Sequence, residues 1–225
     1  MSDNIQTGPT MIEVPSPGRR TPVQSRSQQT VARILDAASS LLTQVPLDDV
    51  TTTRIAGEAS LSIGALYRFF PDKQTIVDAI AVRHVEQFRA SLEETVITVL
   101  EREFANLETF DPAVVLDSVI DAYIVYLDAH PDFRTISFGR YVSAATKERE
   151  ASPTMGLPAL LKNFMLERLA IPNSPELDLM LRVVSEVGER LIAYAYEQPT
   201  REERDRIVTE MKRMLAGYLF SEKSS

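Results

Sequence analysis

The chain has 225 residues, 44% of them hydrophobic and 25% charged, which is enough for a small domain beside a larger one with its own core. It contains no cysteine, which excludes a disulfide framework and thiol chemistry, and its formal net charge of −8, taken alone, argues against a nucleic-acid partner. No apolar run resembles a signal peptide and no segment is long and uncharged enough to span a membrane, so the expectation is a cytoplasmic protein.

Residues 1–23 hold prolines 9, 15, 17 and 22 with almost no periodicity, and read as a disordered tail. Arg19 and Arg20 within it could reach DNA as an arm or stand as a solvated pair; no supporting pattern favours the arm. A first helix is predicted over 25–44, with Val31, Ile34, Leu35, Ala38, Leu41 and Leu42 at helical spacing and Pro46 ending it.

The next stretch, TTTRIAGEASLSIGALYRFFPDK at 51–73, carries the most information. Thr51 or Thr52 can cap a short helix whose inward side is Ile55, Ala56 and Ala59. Ser60, Leu61 and Ser62 make a turn, and Ser62 can cap a second short helix over 63–69. Pro71 and Asp72 end that helix and open a third at Lys73. A helix-turn-helix of this size presents its second helix to the DNA major groove. The domain division is therefore a tail (1–23), a helix-turn-helix domain (24–72) and a second helical domain (73–225).

From Lys73 a helical pattern continues to about residue 107 as one helix or two, reaching from the first domain into the second. Asp111-Pro112 starts another helix and His130-Pro131 ends it. Shorter helices are predicted over 132–141 and 158–170, and long ones over 176–197 and 202–220. No segment shows strand alternation. The fold class is all-α, with about nine helices.

At 51–73 the sequence resembles the TetR (tetracycline-repressor) family of bacterial transcriptional regulators. The residues that carry the resemblance are Thr51, Ile55-Ala56, Ala59-Ser60-Leu61-Ser62, Gly64-Ala65-Leu66-Tyr67-Arg68-Phe69-Phe70 and Lys73. Ser60 stands where the family usually has glycine, so a positive φ there would cost about 1 kcal/mol. The resemblance is specific over roughly 28–80 and elsewhere rests on helix count and order. It implies a DNA-binding head on a larger domain that binds a small-molecule effector and forms a homodimer.

Charge distribution fits that division. Residues 19–73 carry Arg19, Arg20, Arg26, Arg33, Arg54, Arg68 and Lys73 against Asp36, Asp48, Asp49, Glu58 and Asp72, a net charge of +2. An acidic body behind a weakly basic head favours one approach to DNA. The candidate DNA-contacting residues are Thr51, Thr52, Arg54, Ser62, Ile63, Gly64, Ala65, Tyr67, Arg68 and Lys73. Tyr67 and Lys73 suit phosphate, and Thr51 and Thr52 can cap and donate to phosphate at once. Arg54 and Arg68 could read guanine, Ile63 and Ala65 a thymine methyl, and Gly64 would bring the backbone close or pack internally.

Along the last two helices, Leu177, Leu181, Val184, Gly188, Leu191 and Ala195, with Ile207, Met211, Met214 and Tyr218, form an apolar surface too wide for one partner helix. They are the expected dimer interface, an intermolecular four-helix bundle, with an intramolecular core as the alternative. The resemblance also implies a ligand pocket, whose candidate lining is Phe88, Tyr123, Tyr126, Phe133, Phe138, Tyr141, Phe164, Met165 and Tyr194. His84 and His130 lie far apart in sequence without cysteine companions, so neither a metal site nor a cofactor is expected, and His84 reads as a core histidine. No serine elbow, phosphate loop or carboxylate pair marks an enzyme. The expected function is a dimeric repressor of a palindromic operator, released by a small molecule. A regulator controlled by a protein partner, or an all-helical interaction module, remains an alternative.

Overall fold

The computed structural model describes residues 22–104, 111–139, 141–146, 156–167 and 170–220. The tail up to residue 21, with Arg19 and Arg20, lies outside them, as does the side chain of Phe164. The described residues form nine α-helices: α1 (Pro22–Leu42), α2 (Thr52–Glu58), α3 (Ile63–Tyr67), α4 (Lys73–Phe104), α5 (Pro112–Ala129), α6 (Pro131–Phe138), α7 (Gly156–Glu167), α8 (Pro175–Tyr196) and α9 (Arg201–Phe220). A 3-10 turn at Leu47–Asp49 and a helical stretch at 144–146 complete the described elements. None of these helices is long and apolar enough to cross a membrane.

The chain's punctuation explains the boundaries. Thr51 caps α2 by accepting from the Arg54 N–H, and Ser62 caps α3 by accepting from the Ala65 N–H. Asp72 accepts from the Thr75 N–H at 2.8 Å, where α4 begins. Asp111 and Ser174 cap α5 and α8, each followed by proline in the first turn. α3 is shorter than expected, ending at Tyr67, and α4 is one continuous helix of 32 residues.

Two main cores result. The first joins Ile34, Leu35, Ala38, Leu41 and Leu42 of α1, Ile55 and Ala56 of α2, Leu66, and Phe70. It also takes in Ile76, Val77, Ile80 and Ala81 of α4, and Ile136 of α6. The head therefore does not end at residue 72: the first turns of α4 are part of its core, and α6 docks on it. The second core gathers Val115, Leu116, Ile120 and Leu127 of α5, Met165 of α7, Leu177, Leu181, Val184 and Ile192 of α8, and Val208, Met211 and Leu215 of α9. Asp128 pins α5 to the last two helices, accepting from the Tyr196 hydroxyl at 2.7 Å and from Arg204 at 3.1 Å.

This second core corrects the expected dimer face. Leu177, Leu181, Val184, Gly188, Ala195 and Met211 are buried within the protomer, and Gly188 faces Leu215 of α9. α8 carries apolar residues on two sides, and the richer one packs inward. Leu179, Val183 and Tyr194 of α8, and Met214 and Tyr218 of α9, remain exposed instead. Leu191 and Ile207, half-buried, line an open cleft between the two helices together with Tyr194 and Met214.

Ser60, in the turn between α2 and α3, has φ 53°, the left-handed conformation that favours glycine. Arg33 of α1 holds the turn by donating to the Ala59 and Ser60 carbonyls. Replacing Ser60 with glycine is expected to stabilise the chain by roughly 0.5–1 kcal/mol, read as a higher urea midpoint. An unchanged or lower midpoint would mean that the turn carries no strain.

Asp78 of α4 fastens the 141–146 segment, accepting from the Ser143 N–H at 2.9 Å and its hydroxyl at 2.6 Å. Partial burial pushes the Asp78 carboxyl up, but the Ser143, Gln74 and Thr146 hydrogen bonds outweigh it and hold the group below its ordinary 3.8. A carboxyl lowered on folding stabilises above its unfolded value, and that contribution fades as pH falls through the folded one. Wild type should therefore lose stability below pH 3.8 through this group. Asp78→Ala should lack that component and be weaker by about 1–2 kcal/mol at neutral pH, measured by urea unfolding across a pH series.

Candidate functional site

α2 and α3 cross with their hydroxyl groups together. Thr52 Oγ1 and Tyr67 Oη stand 3.1 Å apart, and Tyr67 is half exposed. Ile63, at the start of α3, is 40% exposed despite its apolar side chain. A side chain added at Gly64 would meet no atom within 4 Å, so this glycine is not required by internal packing. Its bare backbone leaves α3 open to close approach from outside. Leu66 is fully buried and anchors the helix from behind, whereas Arg68 is exposed at its C-cap. Ala65 is only half-buried, less outward than expected.

The predicted cations divide by role. Lys73 is half-buried and donates to the Leu47 carbonyl at 3.1 Å. Arg54 donates to the Asp49 carbonyl at 2.9 Å. With Arg33 on the Ala59 and Ser60 carbonyls, three cations of the head brace its own turns. Arg33 carries no sequence signal for this role, because its partner lies 26 residues away. Thr51 and Ser62 serve first as caps, leaving Thr52, Ile63, Gly64, Tyr67 and Arg68 as the outward face.

Behind the head lies a polar junction. Arg83 of α4 bridges to Asp36 of α1 at 2.6 Å and donates to Ser39 at 3.1 Å. One residue on, His84 is 3% exposed, with Nε2 at 2.9 Å from Asp132 Oδ2 and Nδ1 at 2.8 Å from the Tyr126 hydroxyl. Burial pushes the Asp132 carboxyl up, but hydrogen bonds from His84 and Ser39 outweigh it and hold the group at about 2. Burial drives the Tyr126 hydroxyl up to about 12, with the Asp132 charge adding to it. Burial likewise lowers His130, helped by the neighbouring His84. His84 is thus the core histidine expected, but its separation from His130 does not survive folding: the ring centroids are 5.1 Å apart. The α5–α6 turn returns His130 to α4, a contact that sequence distance conceals.

The expected ligand-lining residues scatter. Phe88, Tyr123, Tyr126 and Phe133 form one group, with Phe88 centroids 5.1 Å from Tyr123 and 5.2 Å from Tyr126. Met165 is buried in the second core. Phe138 packs on Tyr196 at 5.4 Å. Tyr141 packs against the head core, and Tyr194 is 45% exposed on the outer face of α8, so neither joins that group.

Residues 34–80 match the family described as bacterial regulatory proteins, tetR family. Residues 111–219 match the tetracyclin repressor-like C-terminal domain. No curated protein matches the sequence. Among solved structures, a TetR-family transcriptional regulator from Streptomyces coelicolor is 28% identical, with 84% of this chain and 97% of that one covered and a TM-score of 0.61. RolR in complex with resorcinol is 18% identical, with 89% and 99% covered and a TM-score of 0.60. The TetR-family repressor FadR of Thermus thermophilus, in complex with lauroyl-CoA, is 19% identical, with 86% and 97% covered and a TM-score of 0.58. Matched in its helix-turn-helix head and in its helical body, the chain belongs to the TetR family of DNA-binding transcriptional regulators.

Proposed function

We propose that the protein is a homodimeric repressor that reads a palindromic operator with α3 and leaves it when a small molecule binds the body. The observation that carries the DNA-reading part is the outward face of α3, where an exposed Ile63, an open Gly64 and the Thr52–Tyr67 hydroxyl pair stand together. An exposed isoleucine is costly against water and useful against a thymine methyl. The hydroxyl pair suits a phosphate oxygen, and Arg68 at the helix end suits a guanine edge or a phosphate.

The exposed apolar residues of α8 and α9 support dimerisation. Val183, Tyr194, Met214 and Tyr218 would be covered by their copies across a twofold axis. Two heads about 34–36 Å apart would then bind two half-sites as one unit. Effector release is supported by the aromatic group around Phe88, Tyr123, Tyr126 and Phe133, which touches α4, the helix shared with the head. The resorcinol and lauroyl-CoA complexes of RolR and FadR, which share this fold, supply the precedent.

Fluorescence anisotropy on duplexes tiled from the DNA flanking the gene tests the DNA reading. One imperfect palindrome should bind tightly and with salt dependence. Arg68→Ala should weaken it about tenfold or more, and Tyr67→Phe several-fold, with the helical circular dichroism unchanged. Equal binding of all tiles, or no effect of either substitution, would reject this face.

Dimerisation is tested separately. The double substitution Val183→Glu and Tyr218→Glu should yield monomers in sedimentation and reduce operator affinity by roughly a hundredfold or more. A variant that stays dimeric would place the interface elsewhere.

A further inference from the structure

The geometry points to a divalent transition-metal site formed by His84 Nε2, one ring nitrogen of His130, and an oxygen of Asp132. It lies where α4, the end of α5 and the first turn of α6 meet. The three ligand atoms lie within 4.8 Å of one another. Two imidazole nitrogens and one carboxylate oxygen are a donor set for zinc and its first-row neighbours, not for the oxygen-seeking magnesium or calcium.

The spacing is close to that of a bound site. With Zn–N near 2.0–2.1 Å, each ring centroid lies about 3.2 Å from the metal, and two rings at the tetrahedral angle have centroids about 5.2 Å apart. The His84 and His130 centroids are 5.1 Å apart, their planes inclined at 61°. The tetrahedral edge between two ligand atoms would be about 3.3 Å. His84 Nε2 and Asp132 Oδ2 stand at 2.9 Å, a few tenths of an ångström short of that edge, and the His130 nitrogen, in a set spanning up to 4.8 Å, closes toward the pair as the metal enters. The entering metal takes Nε2, and the single proton of the neutral imidazole sits on Nδ1.

The surroundings are those of a built site. A ligating histidine needs its other nitrogen held by a partner, which fixes the tautomer and the ring plane. His84 Nδ1 meets the Tyr126 hydroxyl at 2.8 Å, and that hydroxyl lies 3.2 Å from the His84 carbonyl and 3.3 Å from Gln87 Oε1. The tyrosine can therefore accept from Nδ1 while passing its own proton onward, leaving Nε2 for the metal. Phe133 stacks on His84 at 4.9 Å and closes the apolar side. Of the three ligands only His130 is partly open to solvent, which gives the metal an entrance and a water its fourth position.

The test uses the full-length, tag-free protein, titrated with Zn2+ by calorimetry and with Co2+ by visible absorption. The expected result is one metal per protomer, Co2+ bands in the tetrahedral range, and no competition from Mg2+ or Ca2+. His130→Ala changes a half-buried side chain and should fold, and it should lower Zn2+ affinity at least tenfold; Asp132→Asn should do the same. Absence of stoichiometric binding to the wild type overturns the proposal. Binding by His130→Ala as tight as wild type overturns it as well, since the metal would then sit on other surface groups. Both readouts involve the protein alone, so their failure leaves the DNA-binding reading standing.

Discussion

The structure depends on one helix serving two cores. Ile76, Val77, Ile80 and Ala81 of α4 close the head, while Phe88 and Leu92, about two and three turns on, pack with Val119 of α5 in the body. Buried apolar contact in both cores leaves the first two-thirds of α4 little freedom to rotate independently of either. Between those contacts the helix turns polar, and Arg83 and His84 reach in different directions, to Asp36 and Ser39 of α1 and to Asp132 of α6. Removing one partner of the buried His84–Asp132 hydrogen bond would leave the other polar group unpaired in the core, which is destabilising. The junction therefore fixes the angle at which the two cores meet, and whatever alters it alters the presentation of the head.

The head itself shows how a weakly basic surface can still be organised for DNA. Arg33, Arg54 and Lys73 each donate to a main-chain carbonyl at the end of a short helix or turn. A five-residue helix such as α3 cannot stand alone, and helix termini leave carbonyls without partners. Cations there hold the short elements rigid and in register. What faces outward is mostly neutral: a hydroxyl pair, an isoleucine and a bare backbone, with Arg68 beside them. If this face reads the operator as proposed, recognition rests on shape and placement more than on bulk charge.

Much of this was legible in the sequence because it is local. Thr51, Ser62, Asp72 and Asp111 act within three residues of themselves, and Pro71 and Pro112 mark the same boundaries as the last two. The positive φ at Ser60 was suggested by the resemblance, in which glycine usually holds that turn position. Non-local choices were not legible. α8 offers apolar residues on two sides, and nothing in its period says which side meets its own core; the neighbours that decide it, Met211 and Leu215, sit on another helix. The approach of His84, His130 and Asp132 depends on the α5–α6 turn folding back on α4. Tyr194 and Tyr141 were grouped with the other aromatics by composition, and the packing separates them.

The length of α4 has a geometric consequence for the DNA itself. At 1.5 Å per residue its 32 residues span about 48 Å, and the stretch from Lys73 to His84 covers about 17 Å. A tilt of about 5° around His84 would carry the head end by roughly 1.5 Å, or about 3 Å between two subunits moving oppositely. One base-pair step of B-DNA is about 3.4 Å. A tilt of about 5° is therefore enough to put two such heads almost one base pair out of step with a rigid duplex.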